Sequence, residues 1–112
     1  MKMLTMIIRA EKLGSVVSAL RSIGIEGMTL SDVRGHGKQK GETHQYRGME
    51  YHMDFIVKSK IEIVVNDEQV EGIITKISEI AKTGSPGDGK IFITEVVDAI
   101  RIRTGERGNS AI

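Results

Sequence analysis

The chain has 112 residues, of which 39% are hydrophobic and 4% aromatic, so it has room for one domain with a thin aliphatic core that favours burial between subunits. Its formal charge of +1, from 16 basic and 15 acidic residues, excludes a global field that would attract nucleic acid or an anionic membrane. The absence of cysteine excludes disulfides and thiolate zinc sites, and without an apolar signal or bilayer-spanning run we expect a soluble cytoplasmic protein with no direct membrane insertion.

Strand and helix signals follow the same order in both halves of the chain. Apolar runs predict strands, and apolar residues at helical spacing predict two helices. The second helix follows Asn66 and Gln69, which form the pattern of an N-terminal capping box. In chain order, the predicted elements are a strand at 1–9, a helix at 13–23, strands at 28–33 and 55–65, a helix at 70–82, and a strand at 90–97 with an extension towards Ile102.

The succession βαββαβ predicts an α+β fold of the ferredoxin-like sandwich type, in which helices cover one face of the sheet and leave the other available for a partner subunit. A polar segment at 35–54 separates the two halves and shows no consistent period. It is roughly twenty residues long, where about four to six residues suffice for a connection. We therefore predict a long mobile loop at about 37–55 between strands 2 and 3, and a C-terminal loop at about 103–112.

Three short clusters contain glycine or basic residues in patterns that suit phosphate. Residues 84–90 (GSPGDGK) nearly match a P-loop, but Ile91 stands where a Ser or Thr is required, and the order of strand and helix is reversed. Residues 35–41 (GHGKQKG) fall short of a dinucleotide fingerprint, because a lysine occupies the third glycine position. Arg101 and Arg103 follow the last strand, where alternation would put both guanidinium groups on one side. A plain turn or solvated arginines would explain each cluster alone, but together the clusters favour a phosphate ligand.

Residues able to carry out catalysis are scattered. Neither a Ser/His/Asp arrangement nor a carboxylate pair can be defended, because the carboxylates spread over the predicted helix and strand surfaces, so no catalytic residue is predicted. His36, His44 and His52 fall in the polar segment and could suggest a metal site. Without cysteine or a histidine pair at i,i+4, solvated loop histidines are the simpler interpretation.

Two longer motifs resemble the signatures of the PII nitrogen regulatory family: residues 46–51 (YRGMEY) and residues 83–92 (TGSPGDGKIF). Residues 37–41, Lys58 and residues 101–108 (RIRTGERG) match that family as well. The resemblance implies a single PII domain over residues 1–112 and a homotrimer with nucleotide sites in the clefts between neighbouring subunits. It also implies a non-enzymatic signal transduction protein that binds ATP or ADP and, with Mg²⁺ and ATP, the effector 2-oxoglutarate.

By similarity to that family, the site residues fall into three groups. The phosphates would be held by Gly87, Asp88, Gly89 and Lys90 of one subunit and by Arg101 and Arg103 of the next. The adenine pocket would be lined by Gly27, Met28, Thr29 and Val64, with Glu62 at the sugar or base edge, and the site would be closed by Gly35, Gly37 and Lys38. For 2-oxoglutarate, Lys58 would pair with the distal carboxylate, the backbone of Gly37, Lys38, Gln39, Lys40 and Gly41 would wrap the ligand, and Gln39 would be the one side-chain ligand of Mg²⁺.

The long loop would carry the output of the protein. Arg47 resembles the residue that plugs an ammonium transporter in some members of the family, and Tyr51 resembles the residue that is uridylylated in others. The resemblance therefore implies an ammonium transporter, nitrogen-metabolism enzymes and a uridylyltransferase as candidate partners. Two alternatives from other classes share the fold: a small hydrolase of phosphate esters or acyl phosphates, and a metal-binding trimer that uses the loop histidines.

Overall fold

The computed structural model describes residues 1–36, 43–46, 49–52 and 55–112, with residues 43–46 and 49–52 described by their backbone alone. Within these residues the chain forms six strands and two α-helices. In chain order they are β1 (Lys2–Arg9), α1 (Leu13–Ser22), β2 (Thr29–His36), β3 (Thr43–Tyr46), β4 (Met49–His52), β5 (Phe55–Val65), α2 (Val70–Ala81) and β6 (Gly89–Glu95), with short 3₁₀ turns at Ala10–Lys12, Asp67–Gln69 and Gly108–Ala111. Strands β2, β5, β1 and β6 form one antiparallel sheet in that order, and β3 pairs with β4 in a separate hairpin.

The core lies between one face of the main sheet and the helices. Alternation along β1 turns Leu4, Met6 and Ile8 towards the helices, and all three are at most 2% exposed. Ile61 and Ile63 of β5 belong to the same layer, because the antiparallel register places them opposite Met6 and Leu4. The thin core expected from the composition is thus an aliphatic layer in the centre of the sheet.

Each helix buries one face, because its apolar residues recur every three or four positions. The buried residues are Val16, Ala19 and Leu20 in α1, and Val70, Ile73, Ile77 and Ala81 in α2. Ahead of α2, the side-chain Oε1 of Gln69 accepts the backbone N–H of Asn66 at 3.1 Å, as the capping-box pattern predicts. Both predicted helices are confirmed. Among the helices of the described ranges, none combines the length and the apolar character needed to cross a membrane.

The predicted fold class is also confirmed. A four-stranded antiparallel sheet with helices on one face, in the order in which the strands and helices follow along the chain, is a ferredoxin-like α+β arrangement. The residues that alternate with the core residues, such as Thr5, Lys58 and Glu62, point to the opposite face of the sheet. The predicted site residues of β5 lie on that opposite face.

Two predicted strand ends were wrong, and the long segment between the predicted strands 2 and 3 contains a hairpin that was not predicted. β2 runs to His36 rather than ending near residue 33, because residues 34–36 pair with the start of β5. In the polar segment where a loop was predicted, the backbone of β3 and β4 forms an antiparallel hairpin. Both differences arise because a neighbouring strand supplies the pairing, while the segment itself has no apolar pattern to reveal it. At the other end of the chain, β6 ends at Glu95 rather than continuing towards Ile102.

Candidate functional site

Two cavities divide the predicted nucleotide-binding residues between them. The turn cavity, of about 620 Å³, lies beside the turn that precedes β6 and is lined by Gly35, Lys58, residues 85–90 and neighbouring apolar side chains. The C-terminal cavity, of about 490 Å³, lies at the other end of β2 and β5 and is lined by Gly27, Met28, Thr29, Glu62, Val64 and residues near the C-terminus. The turn residues predicted to hold the phosphates therefore line one cavity, and the residues predicted to form the adenine pocket line the other.

The carboxylate of Asp88 organises the turn beside the first cavity. Its Oδ2 accepts the backbone N–H groups of Thr83 at 2.8 Å and Gly84 at 2.9 Å. Its Oδ1 accepts the hydroxyl of Thr83 at 2.5 Å and Nε of Arg9 at 2.9 Å. Hydrogen bonds from the hydroxyl of Thr83 and from the guanidinium of Arg9 hold the pKa of Asp88 far below its ordinary value. This carboxyl is therefore ionised at neutral pH.

Three glycines of the turn, among them Gly84 with φ +89°, adopt backbone angles that other residues rarely adopt. Gly87 has φ +100° and Gly89 has φ +101°, both in the left-handed region. At Gly89 the space is closed as well, since a Cβ there would lie 1.7 Å from the carbonyl oxygen of Ile7. Glycine at position 89 thus lets β6 begin in close contact with β1. Turns of this kind present backbone N–H groups to anions.

Two cations lie beneath the turn. The side chain of Lys58 is buried, with 7% of the residue exposed, and its Nζ donates to the carbonyl oxygen of Gly87 at 2.5 Å. Burial first, and then the nearby charge of Arg9, lower the pKa of Lys58. Arg9 stands opposite Lys58 in the register of β1 and β5, so both positive charges project from adjacent strands. Arg9 is partly buried and paired with Asp88, whereas Lys58 is buried beside the cavity, where a positive charge suits an anionic ligand.

Arg9, which contacts the turn beside this cavity, is a residue that sequence reasoning missed. Besides its contact with Asp88, its Nη2 donates to the carbonyl oxygen of Pro86 at 2.9 Å. The available signal was an arginine at the end of a mostly apolar strand. That signal does not identify which residues the arginine contacts. The contact spans more than seventy residues of sequence and depends on the antiparallel pairing of β1 with β6.

The C-terminal cavity brings together the residues predicted for adenine. Thr29 and Glu62 are paired across β2 and β5, and Val64 lies two residues further along the same face of β5. The cavity is also lined by Asn109 and Ile112 of the C-terminal segment, which the sequence analysis did not propose. Nothing in the local pattern of that segment points to the cavity.

The two C-terminal arginines are not placed as predicted. The expectation that strand alternation aligns Arg101 with Arg103 was wrong, because β6 ends earlier and both residues lie in a separate turn. The backbone N–H of Arg101 donates to the carbonyl of Glu106 at 2.9 Å, and its Nη1 donates to the carboxylate of Glu106 at 2.9 Å. In the described part of this subunit, neither arginine is among the residues that line the turn cavity.

Several predicted site residues lie outside the described residues: Gly37, Lys38, Gln39, Lys40, Gly41 and Arg47. Tyr51 is described only through the backbone of β4, where it pairs with His44.

Across residues 1–36 and 55–112, no group of three or more His, Asp or Glu side chains is placed to hold a metal ion. The ring of His36 lies 5.7 Å from that of Phe55, centroid to centroid, in a tilted arrangement.

The sequence is similar to known proteins over its whole length. A family model described as "Nitrogen regulatory protein P-II" matches residues 1–106. The chain is 54% identical over 112 residues to "Nitrogen regulatory protein P-II 1" of Methanothermobacter thermautotrophicus, covering 100% of this chain and 97% of that protein. It is also 54% identical to "Nitrogen regulatory protein P-II" of Nostoc punctiforme and 50% identical to the protein of that name from Azospirillum brasilense, with full coverage of both chains in each case. Together with the ferredoxin-like fold, these matches show that the chain belongs to the P-II nitrogen regulatory protein family.

Proposed function

We propose that the chain is a non-enzymatic signalling protein of the cytoplasm, a single domain that assembles as a homotrimer and binds ATP or ADP. The observation that carries this proposal is the turn cavity, where a turn containing left-handed glycines lies over the cationic side chains of Arg9 and Lys58. A concave, positively charged site of this kind suits a polyphosphate. The relatives, which are named as nitrogen regulatory proteins, support a regulatory role.

The nucleotide site is completed between two subunits. Lys58 beside the turn cavity and Glu62 beside the C-terminal cavity are four residues apart on β5, which corresponds to about 13 Å along an extended strand. Within one subunit the two cavities open at opposite ends of the strands. We therefore assign Gly87, Asp88, Gly89 and Lys90 to one wall of the site. The other wall comes from the next subunit, through the adenine group (Gly27, Met28, Thr29, Glu62 and Val64) and the two arginines (Arg101 and Arg103).

The trimer gives this divided site a physical basis. The face of the sheet that carries Thr5, Lys58 and Glu62 is the face opposite the core layer, so it is free to receive a neighbouring subunit. Three copies around one axis would form three equivalent sites. The thin aliphatic core supports the same conclusion, because a domain of this size gains stability by burying further surface between subunits.

The effector binds next to the nucleotide phosphates. Lys58, held on the carbonyl oxygen of Gly87, exchanges this neutral acceptor for the distal carboxylate of 2-oxoglutarate, which is the stronger acceptor because it carries charge. Mg²⁺ would supply positive charge next to the bound anions, and Gln39 is proposed as the side chain that would hold it. ATP and 2-oxoglutarate thereby bind cooperatively.

The segment between β2 and β5 passes the binding state to partners. Residues 37–41, together with Gly35 at the end of β2, close around the ligands and set the direction in which the segment leaves the sheet. Arg47 is proposed to contact an ammonium transporter or an enzyme of nitrogen metabolism, and Tyr51 to be the position that a uridylyltransferase modifies. Ordering by the ligand changes the surface that the partner meets.

Calorimetric titration of 2-oxoglutarate into the purified protein with Mg²⁺ tests the proposal, once with ATP and once with ADP. We expect binding of 2-oxoglutarate with ATP and little or none with ADP. Equal binding in both cases would contradict the proposed cooperativity between ATP and 2-oxoglutarate. Binding of the nucleotides without any binding of 2-oxoglutarate would remove the roles given to Gln39 and Lys58.

A further inference from the structure

The acceptor sites of the Asp88 carboxylate are used within its own turn. One oxygen accepts two backbone N–H groups, from Thr83 and Gly84, and the other accepts the hydroxyl of Thr83 and Nε of Arg9. A carboxylate offers about four acceptor positions, so this one is filled without a ligand. Its negative charge would also repel a phosphate placed next to it. Asp88 is therefore poorly suited to bind a phosphate with its side chain.

Arg9 fixes the same turn from the side of the sheet. Its guanidinium donates to the Asp88 carboxylate through Nε and to the carbonyl oxygen of Pro86 through Nη2, both at 2.9 Å. The side chain is only 11% exposed, so the fork is held in place by its surroundings. An arginine fork can reach two acceptors at once, whereas a lysine ammonium offers no rigid geometry for this. The turn is thus tied to the end of β1.

Building on the nucleotide function proposed above, we propose that Arg9, Thr83 and Asp88 are positioning residues that hold the backbone of residues 84–89 ready for phosphates. The turn contains left-handed glycines at 84, 87 and 89, which are free to adopt many other conformations in an unbraced chain. Fixing them before the ligand arrives lowers the entropy lost on binding. The carboxylate of Asp88 acts on the nucleotide only through the turn.

A positioning role and a direct electrostatic role of Asp88 predict opposite changes in nucleotide affinity for Asp88→Asn. If Asp88 acted on the phosphates through its charge, Asp88→Asn would remove a repulsion and strengthen nucleotide binding. If it positions the turn, the substitution puts an amide donor in place of one carboxylate oxygen. That amide then faces either the N–H groups of Thr83 and Gly84 or the hydroxyl of Thr83 and Nε of Arg9, and binding of phosphates weakens. We expect ADP to bind about 10-fold or more weakly to Asp88→Asn, with Arg9→Lys showing an intermediate loss.

The experiment measures the affinity of the full-length protein for ADP and for adenosine, which has no phosphate, in wild type, Asp88→Asn and Arg9→Lys. Glu95→Gln is the matched control, because Glu95 pairs with Lys2 at the far end of β6. Adenosine affinity should be unchanged in all variants, and Glu95→Gln should leave ADP affinity unchanged. Tighter ADP binding in Asp88→Asn, or equal losses for ADP and adenosine, would overturn the proposal.

The hydrogen bonds by which Arg9, Thr83 and Asp88 hold the turn, here called the brace, can also be probed without any ligand. Amide hydrogen exchange of Thr83 and Gly84 should be faster in Asp88→Asn than in wild type, while exchange at core positions such as Met6 stays the same. Unchanged exchange at 83 and 84 would overturn the brace even if nucleotide affinity fell. If wild type bound no ADP at all, the proposed nucleotide function would fail, and the exchange measurement would still decide whether the brace exists.

Discussion

Replacement of Gly89 by alanine should be among the most destabilising single-methyl changes in the chain. The left-handed backbone alone costs about 1–2 kcal/mol for a residue with a Cβ. The new Cβ would also lie 1.7 Å from the carbonyl oxygen of Ile7 and 2.8 Å from its carbonyl carbon, and Gly89 pairs with Ile8 in the ladder between β1 and β6. Relieving this overlap separates the strands there and removes at least one hydrogen bond, about 1 kcal/mol more. We expect a loss of about 3 kcal/mol in the free energy of unfolding.

Two other glycines provide graded controls for this measurement. Gly105 has φ +75°, and a Cβ added there would meet nothing within 4 Å, so Gly105→Ala introduces only the backbone strain, about 1–2 kcal/mol. Gly72 lies in α2 with open space around it, so Gly72→Ala should stabilise by about 0.5–1 kcal/mol. Urea denaturation at one fixed protein concentration, followed by circular dichroism, gives all three values. A loss for Gly89→Ala no larger than that for Gly105→Ala would refute the close contact between β1 and β6.

Two further predictions concern charged groups. Lys58→Met should weaken 2-oxoglutarate binding about 10- to 100-fold in the presence of Mg²⁺ and ATP, because a charge-assisted bond is lost. Lys60→Met, on the same face of β5, should change this binding little. Equal effects of the two substitutions in a calorimetric titration would contradict the role of Lys58. Folding lowers the pKa of Asp88, mainly through the hydroxyl of Thr83, and the pKa of Asp98, mainly through Arg107. The stabilisation from both carboxylates is therefore present above the unfolded pKa near 4, and it is lost as the pH falls through the folded pKa values. The thermal midpoint should therefore decrease from about pH 5 to about pH 2, less steeply in Asp98→Asn, and a midpoint that stays constant over this range would contradict the assignment.

The sequence was sufficient for the parts of the fold that bury apolar side chains. The helices and β5 could be predicted because their apolar residues recur with the period of the element, and Gly87 and Gly89 could be predicted because a tight turn before a strand requires glycine. The hairpin of β3 and β4 escaped prediction, since its short strands contain no apolar alternation and exist through pairing.

The site was harder to predict because its contacts connect distant parts of the chain. Arg9 meets Asp88 and Pro86 only when β1 and β6 pair, so no local pattern could reveal it. The predicted alignment of Arg101 and Arg103 failed for the opposite reason. A local turn, closed by backbone and side-chain contacts between Arg101 and Glu106, replaces the strand that the apolar residues of that segment suggested.

The central claim is that each nucleotide site is built from the turn of one subunit and the C-terminal side of the next, and subunit complementation tests it most directly. Lys90→Glu and Arg103→Glu place a repelling charge on opposite walls of the proposed site, so each variant alone should bind ATP very weakly. When the two variants are unfolded together and reassembled in equal amounts, mixed trimers should each regain one intact site, and about a quarter of the wild-type number of ATP sites should return. Mixed trimers that bind no ATP would contradict the shared site and would place all of the nucleotide contacts within one subunit.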